Sequence, residues 1–300
     1  MGFPPRCYQL WGSISMQGTL FIVSTPIGNL GDITLRAIST LRDVDFIAAE
    51  DTRITAKLLN HLEIKKEQIS YYRHNMDRQG RNILDRIQAG ENCALCCDAG
   101  TPAVSDPGEL LVALAIERGI TVVPIPGPCA AITALSVSGL SSGRFCFEGF
   151  LPMSRKNRLS RISALQKESR TMVFYEAPHK LRNTLSDLCE SFGAQRPVTL
   201  AREMTKIYEE ILRTTLGEAC ELYSQRAPKG EYVLIVAGAQ PSEKISYDEQ
   251  LVIQSILDST AEGMSLSDAC RQASLEYGMS RNELYRLVTQ QKNSCGSEDP

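Results

Sequence analysis

The 300-residue sequence has little aromatic content, few histidines and no long apolar segment. Phe, Trp and Tyr make up 6% of the residues, and Trp occurs once. No apolar run approaches the ~18 residues of a membrane-spanning helix, so we expect a soluble globular protein without a membrane partner. The formal net charge of −3 excludes a polycationic chain. Any contact with nucleic acid therefore has to come from a local basic patch.

A metal-binding pattern is also missing, although the sequence contains ten cysteines. Cys93-x-x-Cys96 has zinc-like spacing, but no second Cys-x-x-Cys or Cys-x-x-His half follows it, and the three histidines lie far apart. The cysteines lie in apolar segments, which favours buried free thiols in a reducing compartment. We therefore expect no metal site and a cytoplasmic location.

Signals for export and for common nucleotide-binding loops are absent from the first part of the chain. Residues 1–15 lack the charged and apolar regions of a signal peptide, and a more regular segment begins at Met16. This predicts a disordered extension over 1–17, with translation starting at Met16. The first glycine-rich loop, 25–32, fits neither G-x-G-x-x-G nor G-x-x-x-x-G-K-[ST].

The most informative stretch is 93–108, which reads CALCCDAGTPAVSDPG. It begins as a short apolar run that predicts a buried strand, which ends at Asp98. Glycines and prolines follow, and 109–118 then has helical spacing. A strand that ends in a rigid loop of small residues before a helix is a typical ligand site in α/β sheets. An ordinary strand–helix turn is the alternative.

The strand–loop–helix pattern occurs five times in the first half of the chain, which predicts a parallel doubly wound sheet over 18–140. Either Asp32 or Thr34 fits as the cap of the first helix. The predicted strands are 19–24, 44–49, 69–72, 93–97 and 121–125, and the predicted helices are 33–41, 55–61, 78–89, 109–118 and 130–137.

The pattern changes over 139–152, where glycine and proline density rises, and we interpret this segment as a domain junction. Long and short connections alternate after it, which predicts a mixed α+β domain over 141–240. Residues 245–292 have helical periodicity with two breaks, which predicts three short helices resembling a helix-turn-helix module. Ser267 and Ser280 fit as N-caps there. The tail after residue 293 is expected to be disordered.

Charged residues gather where predicted strands end and in one basic run. Glu50-Asp51-Thr52-Arg53 follows the second strand, where α/β proteins place functional groups. The alternative is a helix N-terminus capped by Asp51 or Thr52, with Arg53 in an ion pair. The run 154–170 holds six cations against one acid, which favours phosphate contact, although it also fits the exposed face of an amphipathic helix.

Taken together, the loops resemble the tetrapyrrole methylase family, the class III S-adenosylmethionine (SAM) methyltransferases. Within it they are most similar to the bacterial small-subunit ribosomal RNA 2′-O-methyltransferases that act on a cytidine. The resemblance implies two α/β domains with SAM in the cleft between them, a C-terminal helical module and a homodimer. It also implies 16S ribosomal RNA or the small ribosomal subunit as a partner. The matching segments are 24–32, 50–53, 98–108, 126–130, 174–180 and 201–206.

The resemblance also implies which residues bind the cofactor. Thr101 stands where tetrapyrrole-modifying relatives carry an Asp, and Cys129 stands where Ser is usual, so backbone contacts are expected there. The implied cofactor-binding residues are Pro26, Gly28, Gly100, Thr101, Val104, Ser105, Asp106, Cys129, Ala130, Glu176, Ala177, Ala201 and Tyr232.

A ribose 2′-hydroxyl is a poor nucleophile, so some group has to orient it and accept its proton. The sequence leaves four candidates open: Glu50, Asp51, His74 and Glu176. The cations available for RNA phosphates are Arg53, Arg155, Lys156, Arg158, Lys180 and Arg202.

Two other functions remain open at this point. A methylase of the same fold acting on a porphyrin-like macrocycle would not need residues 154–170 or 248–290. A non-catalytic nucleic-acid-binding regulator would use the C-terminal helices and bind nucleic acid whether or not SAM is present.

Overall fold

The computed structural model describes residues 17–240, 248–277 and 279–295. The chain divides into two compact units, of which the first ends at Gly238 and the second begins at Ala239. Throughout these described ranges, no helix combines the length and the apolar character needed to span a membrane.

Two predictions of disorder fall at the ends of the chain. The predicted N-terminal extension lies outside the described residues except for Gln17. The predicted disordered tail was placed to begin after residue 293, but the last helix continues to Cys295. The rest of that tail lies outside the described residues.

The first five strands form one sheet, and every pairing in it is parallel, as predicted. The strand order is β3-β2-β4-β1-β5. The strands are β1 Thr19–Val23, β2 Phe46–Ala49, β3 Glu67–Ser70, β4 Cys93–Cys96 and β5 Thr121–Ile125. The helices after them are α1 Leu35–Asp43, α2 Thr52–His61, α3 Met76–Gln88, α4 Gly108–Glu117 and α5 Ala130–Val137.

Strand β4 lies at the centre of this sheet, between β1 and β2, and all four of its residues are buried. Small side chains suit that position because helices cover both faces of a parallel sheet. Burial raises the pKa of the Cys96 thiol to about 12. This thiol therefore stays neutral and packs in the core, as its apolar context predicted.

Local hydrogen bonds explain where these elements begin and end. The Thr34 side chain accepts from the Ala37 N–H at 3.1 Å and caps α1, whereas Asp32 lies in a short 3₁₀ turn before it. Strand β3 ends two residues earlier than predicted. The cause is Asn75, whose side chain accepts from the Tyr72 N–H at 2.8 Å and donates to the Ser70 carbonyl at 2.9 Å, which turns the chain.

The second sheet is mixed, as predicted, because β6 and β7 run parallel while the other pairings are antiparallel. The strand order is β6-β7-β10-β8-β9. The strands are β6 Phe145–Phe150, β7 Thr171–Glu176, β8 Pro197–Arg202, β9 Glu210–Thr215 and β10 Tyr232–Val236. The helices are α6 Arg155–Ala164, α7 Pro178–Phe192 and α8 Leu216–Gln225.

Three features differ from the sequence-based expectations for this region. Strand β6 lies inside the predicted junction 139–152, so that segment is part of the sheet. Helix α8 was not predicted, although Thr215 and Glu218 form a capping box at its start. Helix α5 was assigned to the first domain, but its small residues Ala131 and Ala134 pack against the second sheet.

The C-terminal unit contains three helices, α9 Glu249–Ala261, α10 Leu266–Tyr277 and α11 Arg281–Cys295. They share an apolar core of their own. The Ser265 hydroxyl accepts from the Asp268 N–H at 3.1 Å at the start of α10, so Ser265 takes the capping place expected of Ser267. Ser280 accepts from the Glu283 N–H at 3.4 Å, as predicted.

A buried ion pair joins α6 to α7. The Arg158 Nε donates to Asp187 Oδ2 at 2.6 Å, and the two side chains are only 11% and 6% exposed. Arg155 Nε lies 3.9 Å from the other Asp187 oxygen and is largely exposed. Removing one partner of such a pair leaves an uncompensated buried charge.

We predict that Arg158→Met lowers the free energy of unfolding by about 3 kcal/mol, because Asp187 is left without its main partner. The value lies at the low end of the range for buried pairs because Arg155 remains nearby. Chemical denaturation measures it. Lys156→Met is the matched control, since Lys156 is exposed. Equal stability of the two variants would contradict the structural role of the pair.

Candidate functional site

A cleft of about 400 Å³ lies within the first unit, where loops from the two sheets meet. The first sheet contributes the residues after β1, β2 and β4, and the second contributes those around β6, β7, β8 and β10. A smaller hollow of about 320 Å³ shares several lining residues with it. The first-sheet residues of the cleft follow the carboxyl ends of parallel strands, which is where α/β sheets commonly bind ligands.

Ten of the thirteen cofactor-binding residues implied by the resemblance line one of these two hollows. Pro26 and Gly28 line the smaller one. The cleft is lined by Val104, Ser105, Asp106, Ala130, Glu176, Ala177, Ala201 and Tyr232.

The other three, Gly100, Thr101 and Cys129, line neither hollow. Gly100 forms a two-way backbone bridge with Thr25, with N–H···O distances of 2.8 and 3.1 Å, and its φ of +88° favours glycine. The Thr101 hydroxyl lies 3.0 Å from both Ser24 Oγ and the Pro128 carbonyl. Gly100 and Thr101 therefore tie together the loops after β1, β4 and β5.

Cys129 precedes α5 and packs half-buried against the apolar cluster on the second sheet. Its side chain makes no capping hydrogen bond. Tyr175 lies beside it and lines the cleft, and its hydroxyl accepts from the Ala131 N–H at 3.2 Å. Burial raises the pKa of Tyr175 to about 12, so the phenol stays neutral.

Two loops of the cleft hold non-glycine residues in the left-handed region of φ. Ala103 and Ser105 have φ of 65° and 66°, and Glu203 and Thr205 have φ of 49° and 65°. Such conformations cost about 1–3 kcal/mol each and cluster at functional sites. The first loop is held by Asp106, whose Oδ1 accepts from the N–H groups at 103 and 108, at 2.9 and 2.7 Å.

The second loop is held by Lys206, whose Nζ donates to Glu203 at 2.8 Å and to Glu231 at 2.9 Å. This second loop packs directly on the loop after β1. A Cβ added at Gly28 would lie 2.5 Å from Lys206 Cγ and 2.9 Å from Thr205 Oγ1. Only glycine allows this approach without a shift of either loop.

Carboxylates gather on the first-sheet side of the cleft. The Asp98 N–H donates to Glu50 Oε2 at 3.4 Å, and the Asp51 N–H donates to Asp98 Oδ1 at 3.0 Å. Burial and the neighbouring carboxylates, Asp98 first, raise the pKa of Glu50. Burial also raises the pKa of Asp98. In the part of the chain that the structure describes, no group of three or more His, Cys, Asp or Glu could hold a metal ion.

The structure brings two of the four candidate proton acceptors into the cleft, Glu50 and Glu176. Glu176 is only 4% exposed, and both of its oxygens are engaged: Oε1 accepts from the Ala177 N–H at 2.9 Å and Oε2 from the Thr184 hydroxyl at 2.5 Å. Glu176 therefore ties the end of β7 to the N-cap and the second turn of α7.

Asp51 and His74 do not line the cleft. Asp51 caps α2 and binds the Arg53 guanidinium at 2.6 Å, which was the structural alternative for this segment. Hydrogen bonds from the Arg53 side chain and backbone lower the pKa of Asp51 to about 2. The His74 ring lies edge-on to Tyr72, with centroids 6.2 Å apart.

The six candidate RNA-binding cations differ in availability, and all six lie outside the cleft. Arg158 is held in its buried pair with Asp187. Arg202 lies 3.3 Å from Glu210 and is 15% exposed. The other four are Arg53, Arg155 and Lys156, which are exposed, and Lys180, which is half-buried.

Several side chains that line the cleft are not among the site residues that the resemblance implies. Tyr175 and Lys206 lie in the matching segments 174–180 and 201–206, so the signal for them was present. Asp98 is the first charged residue after β4 and could have been found by position. Phe150 lies in the segment 139–152 that the sequence predicts as a domain junction, and this prediction hid its place at the end of a strand.

Comparisons with known proteins show the family of this chain. A family model described as Tetrapyrrole (Corrin/Porphyrin) Methylases matches residues 19–220. The chain is 47% identical over 270 residues to the ribosomal RNA small subunit methyltransferase I of Synechocystis, covering 90% of this chain and 97% of that protein. It is 44% identical over 278 residues to the protein of the same name from Escherichia coli O157:H7, covering 92% and 96%.

A solved structure is also similar, the uroporphyrin-III C-methyl transferase of Thermus thermophilus complexed with S-adenyl homocysteine. It has a TM-score of 0.54 and 17% identity, and the match covers 73% of this chain and 97% of that one. At that identity the likeness shows the fold alone. The family model spans both sheets up to α8, and the curated relatives match most of the chain, so the predicted fold and family are confirmed. The chain belongs to the tetrapyrrole (corrin/porphyrin) methylase family.

Proposed function

We propose that this protein is a SAM-dependent methyltransferase that methylates the ribose 2′-hydroxyl of a cytidine in 16S ribosomal RNA. The observation that carries the proposal is the 47% identity, over nine tenths of the chain, with a relative named for methylation of small-subunit ribosomal RNA. The macrocycle-modifying neighbour is far more distant, at 17% identity, so it supports the fold and not that substrate.

The cleft fits a cofactor of this kind. Its volume of about 400 Å³ lies within the usual range for small-molecule sites. Ala130, Ala177 and Ala201 line it, and their small side chains let a ligand approach the backbone closely. The neighbouring charges that raise the pKa of Glu50 are carboxylates, Asp98 first, whereas Arg53 partly offsets the charges that act on Asp98. A sulfonium or ammonium group would relieve the repulsion between Glu50 and Asp98. When bound, SAM supplies a methyl group that is already activated.

The chain's own residues then have to bind the cofactor and the substrate, orient them towards each other and exclude water. Val104, Ser105 and Asp106 of the strained loop line the cleft, and the hydrogen bonds to Asp106 hold that loop in place. Tyr175 and Met204 form an apolar wall of the cleft on the second-sheet side. A rigid wall that excludes water strengthens the electrostatic interactions inside the site.

Glu50 accepts the proton of the ribose hydroxyl in this proposal. It lines the cleft and its raised pKa makes it a stronger base than an ordinary glutamate. Glu176 is less suited because hydrogen bonds occupy both of its oxygens.

The proposal places RNA phosphates on cations outside the cleft. Arg53, Arg155, Lys156 and Lys180 remain as candidates, because Arg158 and Arg202 are held in ion pairs. A homodimer and a cytoplasmic location are part of the proposal and rest on the resemblance found in the sequence.

Mapping of ribose methylation tests the function. Purified protein incubated with SAM and unmodified small ribosomal subunits should produce a 2′-O-methyl group at one cytidine of the 16S RNA, located by mass spectrometry of nuclease fragments. Unmodified large subunits serve as the control. Methylation of a base, or of the large-subunit RNA instead, would contradict the proposal.

The role of Glu50 predicts a pH dependence. Its raised pKa means that the carboxylate becomes protonated, and the base is lost, as the pH falls through a value above the ordinary 4.5 of glutamate. The kcat/KM of the wild type should fall on that acid limb. Glu50→Gln should lower kcat by about 10²–10⁴-fold and remove the limb.

Asp51→Asn is the matched control for that variant, because asparagine caps a helix as well as aspartate and Asp51 lies outside the cleft. It should keep the acid limb and a kcat near that of the wild type, with the limb moved slightly to lower pH because the Asp51 charge contributes to the raised pKa of Glu50. Wild-type kcat in Glu50→Gln would exclude Glu50 as the proton acceptor.

A further inference from the structure

Strand β6 contains an irregularity next to the cleft. Its pairing with β7 shifts register between Phe147 and Gly149, so β6 carries one extra residue, Glu148, at this point. Bulges of this kind bend a strand and redirect the side chains that follow, and they are common beside active sites. The side chain that follows here is Phe150, the last residue of the strand.

The bulge decides which face of the sheet Phe150 occupies. Before it, Cys146 pairs with Met172 on the face that packs against α7 and α8, and Phe147 pairs with Val173 on the opposite face. Strict alternation would put Phe150 on the same face as Cys146. Because of the extra residue, Phe150 instead pairs with Tyr175, on the face that lines the cleft.

Glycine is needed at position 149 for this arrangement. Its φ is +60°, in the left-handed region, and a Cβ there would lie 2.8 Å from the Ser105 hydroxyl. The bulge is therefore packed directly against the strained loop of the first sheet. Both features fix the direction of the side chain of the next residue, Phe150.

The Phe150 ring is anchored on one side and open on the other. Its centroid lies 5.5 Å from that of Tyr175, at an interplanar angle of 59°, and Tyr175 is itself braced by Phe147 at 5.1 Å. Phe150 nevertheless remains 55% exposed while lining the same cleft as Glu50. A large apolar ring held rigidly at a cleft, with an open surface, is suited to stack a planar ligand.

We propose that Phe150 is the stacking platform for the base of the target nucleotide, which determines how that nucleotide enters the cleft. This inference rests on the proposed function. Proteins that act on single nucleotides of RNA commonly hold an unstacked base against an aromatic ring. The cations Arg155 and Lys156 follow five and six residues after Phe150, at the start of α6, and both are exposed. In this proposal they contact the phosphates that flank the target nucleotide.

The test compares three variants in steady-state methylation of small subunits and in calorimetric binding of SAM. Phe150→Ala should raise KM for the subunit about tenfold or more, the range expected for loss of one base–aromatic stack, with the SAM Kd unchanged within about twofold. Phe150→Trp keeps a stacking ring and should restore KM to near the wild-type value. Leu35→Ala, which removes an exposed apolar side chain from α1, away from the residues that line the cleft, should change neither constant.

Each other outcome overturns the inference. An unchanged KM in Phe150→Ala, with active wild type, rejects the platform and leaves the proposed function standing. A weakened SAM Kd with unchanged KM assigns the ring to the cofactor instead. Failure of the wild type itself to methylate the subunit removes the proposed function and the platform together. Retained SAM binding shows that Phe150→Ala is folded.

Discussion

The site depends on close contact between loops of the two sheets, and glycine makes that contact possible. Gly28, from the loop after β1, leaves no room for a Cβ against Thr205 and Lys206. Gly149, from β6, lies equally close to Ser105. Lys206 is itself held in place by Glu203 and Glu231, both on the second-sheet side. Contacts at both positions hold the walls of the cleft at a fixed separation, so a ligand meets a preformed site.

The cleft combines strained backbone conformations with carboxylates whose pKa values are raised, and the surrounding structure stabilises both. Left-handed residues such as Ala103 cost free energy that the hydrogen bonds to Asp106 offset. The raised pKa of Glu50 reflects a carboxylate held away from water beside Asp98. In the proposed function, these carboxylates favour a cationic ligand and Glu50 is the base, which are two requirements of methyl transfer from a sulfonium to a hydroxyl.

The sequence was sufficient for the elements whose pattern is local. Apolar runs with turn residues located β4 and β5 within one residue. The family resemblance located eight of the residues that line the cleft. The sequence was insufficient where a residue distant in sequence determines what a side chain or a backbone group contacts. Arg158 was a candidate RNA contact, but it forms a largely buried ion pair with Asp187. Gly100 was a candidate cofactor contact, but it forms a backbone bridge with Thr25. Pairing with β7 determines the direction of the Phe150 side chain. Spacing along one chain segment carries no information about such partners.

The central claim is that the cleft between the two sheets holds SAM. The most direct measurement is isothermal titration of the protein with SAM, carried out beside the variant Ala177→Trp. Ala177 lines the cleft and is half-exposed at the start of α7, so the indole should fill the site without disturbing the core. The account predicts saturable binding to the wild type and binding weakened about tenfold or more in the variant, with the same melting temperature. Equal affinity in the two proteins, or no binding to the wild type, would contradict it.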